Sequence, residues 1–358
     1  MNAKERFMAV LDDEGRRCLD RVPLFVQTVN ADFIQQNEES LFSDESLDYT
    51  NYPTVDAAMV LGFDGIFGDI PSCYTYEPTE IIDAQGKKHI VNTEGREYYP
   101  DTRYYKNGLL TSQEILDTIW ATLKPIKDSR AMRQVIEYQE TIAPRMFMVP
   151  KTGGIFSRVI LAMGYKEFAI NYKKNTRFYR ELIRFRAEIL KIEIEGLIAG
   201  GGSKAGAVFI ADDIAYKGRP MIPPERFESD YGPHYKEILG MASDAGIVPL
   251  IHTDGDATSM IPSFQDVGFR GLQGWEGGCD PANINDHFPD FIVIGFGDMN
   301  EVLPFGTQDS IEAHVGALMD SLKDNRHFMI GPSSVVNATM PLQNVKCFVD
   351  AAKKMGVY

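Results

Sequence analysis

The chain has 358 residues, 44% of them apolar, enough to fill one large core and inconsistent with a disordered segment. Its 36 basic and 51 acidic side chains leave a formal charge of −15, which repels nucleic acid and anionic membranes and sets both aside as partners. Four scattered cysteines, Cys18, Cys73, Cys279 and Cys347, form no CxxC pair, which argues against a disulfide framework and a cysteine-rich zinc knuckle.

The first twenty residues mix charges through their apolar positions and have no continuous hydrophobic stretch, so they do not read as a signal peptide. Residues 3–11 instead predict a helix that could plug the bottom of a following domain. Beyond it, short apolar runs ending in polar residues alternate with helical stretches. The runs cover 22–27, 62–69, 145–150, 207–212, 247–252, 268–273, 291–295 and 327–331. None could span a bilayer, and the expected location is the cytoplasm. Between them, 178–199 carries Leu182, Phe185, Ile189, Ile192 and Leu197 on one helical stripe; 312–322 and 342–354 are similar. Eight such units predict an α/β fold, a (β/α)8 TIM barrel, formed as one domain over 1–358. Residues 73–99 break the rhythm, with Tyr and β-branched residues and turns at 84–87 and 93–95. They predict a β-hairpin or small antiparallel sheet inserted after strand 2, over the barrel mouth. Gly200-Gly-Gly202 lacks the GxGxxG order and reads as a helix stop; neither a P-loop nor a Gly-x-Ser-x-Gly elbow is present.

Barrel chemistry sits where the strands finish. Those ends supply Gln27, Asp69, Lys151, Asp212 with Asp213, His252 with Asp254 and Asp256, Gln273 with Glu276, Asp298, Ser333 and Ser334. In His252-Thr-Asp254, residues i and i+2 share one side, so imidazole and carboxylate can hold one ligand or metal; the alternative is a buried histidine satisfied by its neighbour. Of Asp212 and Asp213, only one can face the axis, while the other caps a turn or pairs with Lys217 or Arg219. Asp280 reads as a ligand or as a cap before Pro281. Trp275, beside Glu276, could line an aromatic pocket, and Lys151 could hold a phenolate or carboxylate.

Several short motifs also occur in a characteristic order: Asn2-Ala-Lys-Glu5-Arg6 with Asp20-Arg21-Val22-Pro23, Leu61-Gly-Phe-Asp64, Asp212-Asp-Ile-Ala-Tyr-Lys217, His252-Thr-Asp-Gly255 and Pro341-Leu-Gln-Asn344. With these the chain resembles the uroporphyrinogen-decarboxylase-like superfamily over nearly its whole length. That resemblance implies the barrel, and either of two activities: decarboxylation of a tetrapyrrole, or methyl transfer with a corrinoid protein. The decarboxylases carry Arg-Gln-Ala-Gly-Arg-Tyr after strand one, whereas here Gln27-Thr-Val-Asn-Ala-Asp-Phe33 has no arginine to meet a polyanion. Asp69 does match the decarboxylases' key aspartate, and a decarboxylase of another acid is the alternative reading.

Methyltransferases acting on thiols carry zinc on His-x-Cys and a later cysteine; here His252 matches, but Asp254 and Ser334 stand at the cysteine positions. The pattern is closer to the superfamily's O-demethylase methyltransferases, which pass a methyl group from a methoxylated, often aromatic, compound to the cobalt of a corrinoid protein. On that resemblance His252, Asp254, Asp69 and Asp213 are the expected catalytic residues. Zinc would lie on His252, Asp254 and Glu276, and Gln27, Lys151, Trp275 and Ser334 would meet the substrate. The chain has no Asp-x-His-x-x-Gly, so cobalamin would be carried by a partner protein. Whether the barrel pairs as a homodimer is left open.

Overall fold

The computed structural model describes the chain except positions 45, 51, 83–85, 100–103 and 277. Eight parallel strands pair in chain order: β1 (Phe25–Val26), β2 (Gly65–Asp69), β3 (Phe147–Gly153), β4 (Ala207–Ala211), β5 (Val248–Thr253), β6 (Gly271–Gly274), β7 (Ile292–Gly297) and β8 (Phe328–Pro332). A parallel bridge between Leu24 and Ile330, with Ile330 N donating to Pro23 O at 2.9 Å, joins first to last and closes the barrel. Each strand coincides with or overlaps one of the apolar runs, as expected where both faces of a parallel sheet are covered.

Side chains alternate between two cores. Phe25, Phe147, Val149, Phe209, Leu250, Ile292, Ile294 and Met329 fill the barrel interior. Val26, Val208, Ile210, Ile251, Leu272 and Val293 face the surrounding helices. This parity decides which polar residues reach the axis at the strand ends. Counting in twos from Phe25, Val149, Phe209 and Leu250 gives Gln27, Lys151, Asp213 and His252, while Asp212 falls on the helix side.

The helix Ala3–Leu11 starts with a capping box between Asn2 and Glu5 and closes the bottom of the barrel with Phe7, whose ring lies 4.9 Å from that of Phe147. Asp64 accepts from Arg6 at 2.6 Å, Arg21 at 2.7 Å and Leu24 N at 2.8 Å. The motif residues Arg6, Arg21 and Asp64 therefore hold the N-terminal face together, the stabilising end of such a barrel. The helix Arg177–Ala199 buries all five residues of its predicted stripe. Truncating one of them, such as Leu182 to alanine, would cost about 2–5 kcal/mol.

The insertion after β2 is larger than 73–99. Thr79–Ile82 pairs antiparallel with Lys88–Val91, Arg96–Tyr98 with Tyr105–Gly108, and Tyr74–Thr75 with Lys124–Pro125. The helix Gln113–Thr122 also belongs to it, so the excursion runs to residue 125. Strands of two to four residues separated by polar turns give too weak an alternation to mark its far edge. The turn expected at 84–87 lies partly outside the described residues. Among the described residues no helix is long and apolar enough to cross a membrane.

Candidate functional site

His252 is the penultimate residue of β5 and is 4% exposed. Two amides divide its ring. The side chain of the fully buried Gln273 donates Nε2 to the carbonyl of Ser333 at 2.8 Å, so its Oε1 must be the atom that faces His252 Nδ1. Nδ1 also lies 3.1 Å from the Gln273 carbonyl. With acceptors alone on that side, Nδ1 carries the proton. On the other side Ser334 Oγ donates to Gln27 Oε1 at 3.0 Å, which turns the Gln27 amide nitrogen to His252 Nε2, also at 3.0 Å. Nε2 therefore presents a lone pair to the barrel mouth. A histidine whose Nδ1–H is held by an oxygen while Nε2 keeps its lone pair outward, here met by the Gln27 amide, has the arrangement of a metal ligand.

Two carboxylates face that lone pair. Asp213 Oδ1 is 3.7 Å and Asp254 Oδ1 3.8 Å from Nε2, and one atom from each of the three residues lies within 4.8 Å of the others. Asp254 Oδ1 is buried and has no hydrogen-bond partner. Burial pushes the Asp254 carboxyl above its usual range; His252 opposes the shift and Asp213 adds to it. An orphaned oxygen, a second carboxylate and an imidazole lone pair make a one-nitrogen, two-oxygen donor set that fits a divalent cation.

The local backbone puts these groups there. Gly255 has φ +84°, and a Cβ on it would fall 2.6 Å from the Tyr216 backbone, so only glycine lets the chain turn after Asp254. Asp212 points away from Asp213 as the parity requires. It is fully buried, accepts from Phe156 N and Ser157 N at 3.1 and 2.6 Å and from the Tyr235 hydroxyl, and so caps the helix Phe156–Met163. It pairs with neither Lys217 nor Arg219. Asp280 caps the helix Pro281–His287.

The remaining expected residues lie around this group. Glu276 is outside it, in the wall of a cavity of about 860 Å³ bounded by the β6 and β7 ends and the helix Gln308–Leu322. Burial and then the charge of Asp254 push its carboxyl up, against a hydrogen bond from the Asn300 side chain. Trp275 contributes to the same wall but is 2% exposed, with Nε1 donating to Leu272 O at 2.9 Å and its ring stacked on Phe296 at 5.4 Å. Both aromatics have positive φ, 73° and 68°, a costly conformation for bulky residues that concentrates at functional sites. Asp69 is exposed and pairs with Lys151 Nζ at 2.7 Å, on the far side of Asp213. Cys279 stays a thiol, its pKa pushed up to about 12 by burial and Asp256.

Sequence reasoning placed Gln273 at a strand end without giving it the role of fixing the imidazole, and it passed over the mostly buried charges Arg158 and Glu193. Arg158 left a signal: it is the lone charge in the otherwise apolar helix Phe156–Met163.

A closed parallel barrel with its polar groups gathered at the C-terminal strand ends has the build of a barrel enzyme. The profile of the uroporphyrinogen decarboxylase (URO-D) family matches residues 118–355, two thirds of the sequence, and the chain belongs to that family. No curated protein matches. Among solved structures, a methyltransferase from Methanosarcina mazei is similar over 99% of each chain, with a TM-score of 0.64 and 17% identity, a likeness of fold. Dispersin B, at a TM-score of 0.40 and 9% identity over 84% of this chain and 93% of its own, carries no argument.

Proposed function

We propose that the protein is a methyltransferase that moves a methyl group from a methoxylated, aromatic small molecule to the cobalt of a corrinoid protein. The observation that carries this reading is the unpartnered Asp254 Oδ1 beside the His252 Nε2 lone pair and Asp213. Demethylating an ether is limited by its leaving group. Co(I) attacks the methyl carbon and supplies both electrons of the new bond; the C–O pair stays on oxygen, which needs a proton or a Lewis acid. His252, Asp254 and Asp213 would hold zinc, with Glu276 next to them, and the ion would act as that Lewis acid. Oxygen donors leave such an ion more electrophilic than thiolates would, which suits an ether better than a thiol.

The chain's own residues do the rest. Gln273 keeps the proton on His252 Nδ1, so the other nitrogen stays basic. Glu276, whose carboxyl burial and then Asp254 push above its usual range, is the group placed to deliver a proton to the departing oxygen. Trp275 and Phe296 form a stiff apolar wall that limits water at the site. The absence of arginine from 27–33 supports methyl transfer over decarboxylation of a tetrapyrrole, whose carboxylates would lack partners there.

Mixed with a reduced corrinoid protein and methoxyarenes, the protein is expected to convert Co(I) to methyl-Co(III), followed by absorbance, with one phenol released per methyl moved. No change across a broad donor panel with several corrinoid proteins would refute the reading; release of CO2 from an acid in place of methyl transfer would establish the decarboxylase alternative. Elemental analysis of protein purified without chelator tests the metal. Full activity without zinc would leave His252 as an acid or orienting group.

A further inference from the structure

Gln27 follows β1 as Ser334 follows β8, at the seam where the barrel closes. Backbone bonds lace the two ends together: Val336 N donates to Thr28 O at 3.0 Å, and Asn30 N to Val336 O at 2.8 Å. These bonds hold the two side chains side by side. Among the described residues the Gln27 amide has two hydrogen bonds. Ser334 Oγ donates to its Oε1, and its Nε2 donates to His252 Nε2, each at 3.0 Å.

The histidine sets the direction of that amide. Nδ1 carries the proton, so Nε2 offers only a lone pair, and a lone pair needs the NH2 group opposite it. A cation on Nε2 reverses the demand, because it repels the NH2 group and attracts the carbonyl oxygen. Turning the amide by half a rotation loses no hydrogen bond at its other end. A serine hydroxyl accepts from an N–H as well as it donates to an oxygen. Gln27 is therefore satisfied in two directions, one with the ion absent and one with it present.

The spacing fits a single ion. Zinc holds nitrogen and oxygen donors at about 2.0–2.2 Å, so two donors on one ion lie at most roughly 4.2 Å apart. From His252 Nε2 the Gln27 amide atom is 3.0 Å away, Asp213 Oδ1 3.7 Å and Asp254 Oδ1 3.8 Å. Of these groups only the amide can exchange a donor for an acceptor at the same place.

We propose that Gln27 is a further ligand of the His252 metal site, rotating its amide on metal binding so that Oε1 faces the ion and Nε2 turns to Ser334. This rests on the metal of the methyl-transfer reading, and it gives Gln27 work beyond a contact with substrate. The ligand set becomes one imidazole, two carboxylates and one amide. Two carboxylates already balance a divalent charge, and the amide completes the set without adding to it. Zinc widens to five donors in some reactions, which leaves room for an ether oxygen. Ser334, standing where thiol-transferring relatives carry a cysteine, acts on the ion through Gln27.

Zinc titration of the metal-free protein against a chelating dye separates this role from its opposite. A Gln27 that only shields Nε2 competes with the ion, so its removal tightens zinc binding; a Gln27 that ligates gives the reverse sign. Gln27→Leu is expected to bind zinc at least about tenfold more weakly than wild type, since losing an outer partner of a ligand already costs that much. Gln27→Glu keeps an oxygen at the position and should bind at least as tightly as wild type. Ser334→Ala should weaken binding by a smaller factor and add nothing in the Gln27→Leu background, because it acts through that amide. Thermal midpoints of the metal-free variants verify the fold. Zinc affinity in folded Gln27→Leu within twofold of wild type, or above it, would overturn Gln27 as a ligand and leave the three-residue site standing. No zinc uptake by wild type would overturn the metal site and this ligand together. The expected loss in Gln27→Leu, joined with no methyl transfer by wild type from any donor, would overturn the methyl-transfer reading alone.

Discussion

Gln273→Met keeps the volume of a fully buried side chain and removes its two polar atoms. Three contacts go: Oε1 to His252 Nδ1, Nε2 to the Ser333 carbonyl at 2.8 Å, and a long one from Nε2 to the Pro332 carbonyl at 3.5 Å. The imidazole keeps one acceptor, the residue's own carbonyl at 3.1 Å, so the ring is loosened and not abandoned. The Ser333 carbonyl loses its donor at a buried position, which costs about 1–3 kcal/mol. Removing the partner that orients a ligating histidine lowers metal affinity by roughly tenfold to a hundredfold. The variant should therefore unfold at lower urea while binding zinc more weakly, measured by competition with a chelating dye. ¹⁵N NMR of His252 should show the proton shared between Nδ1 and Nε2 where the wild type keeps it on Nδ1. A variant with the expected loss of stability but zinc affinity within twofold of wild type would refute the argument that Gln273 prepares Nε2 for a metal.

Asp212→Ala and Asp213→Ala should separate cleanly although the residues are neighbours. The first removes a helix cap and a tyrosine partner and should cost about 2–4 kcal/mol by urea denaturation, with the second within roughly 0.5 kcal/mol of wild type but impaired in zinc binding. His327, at the bottom of β8, has its pKa lowered to about 4 by burial and then by Arg16, and its Nδ1 has no partner. Its folded pKa lies below the unfolded value, so the stability it contributes is present above about pH 6.5 and is lost as pH falls toward 4. The loss is at most about 3 kcal/mol, and His327→Leu should flatten that part of the urea-midpoint profile.

Much of the barrel was legible because parallel strands covered on both sides must be apolar on both sides, and eight runs with polar ends survive any local ambiguity. The position of His252 was legible for the same reason, since it ends such a run. The sharing of the site was not. The resemblance led to Asp213 and not Asp212, but the physical ground for that choice is the strand parity, which is countable only once Phe209 is known to point inward. The group around His252 draws on β1, β4, β5 and β6, and no spacing in the sequence shows that Gln27 and His252, 225 residues apart, are in contact. The insertion's extent was hidden by short strands. Glu193 sits in a helix whose stripe reads as ordinary packing.

The resemblance to thiol-transferring relatives placed cysteine ligands where this chain has Asp254 and Ser334, and the structure gives those two residues different work. Asp254 turns a buried, unpartnered oxygen toward the His252 group. Ser334 instead donates to Gln27, and through Gln27 it acts on Nε2 itself. Under the proposed metal site Gln27 occupies the lone pair only until a cation takes it. Losing a hydrogen bond from a half-exposed neutral amide is a small cost beside coordination of a charged ion. The second oxygen donor then comes from Asp213, one strand away, which no substitution at the two cysteine positions would suggest. Two sulfur positions are thus replaced by one direct carboxylate, one recruited carboxylate and a hydroxyl that works at one remove. Under the proposed metal site that exchange would turn a soft centre suited to thiols into a hard one, and a hard centre beside Glu276, whose carboxyl is pushed above its usual range by burial and Asp254, suits the breaking of an ether bond.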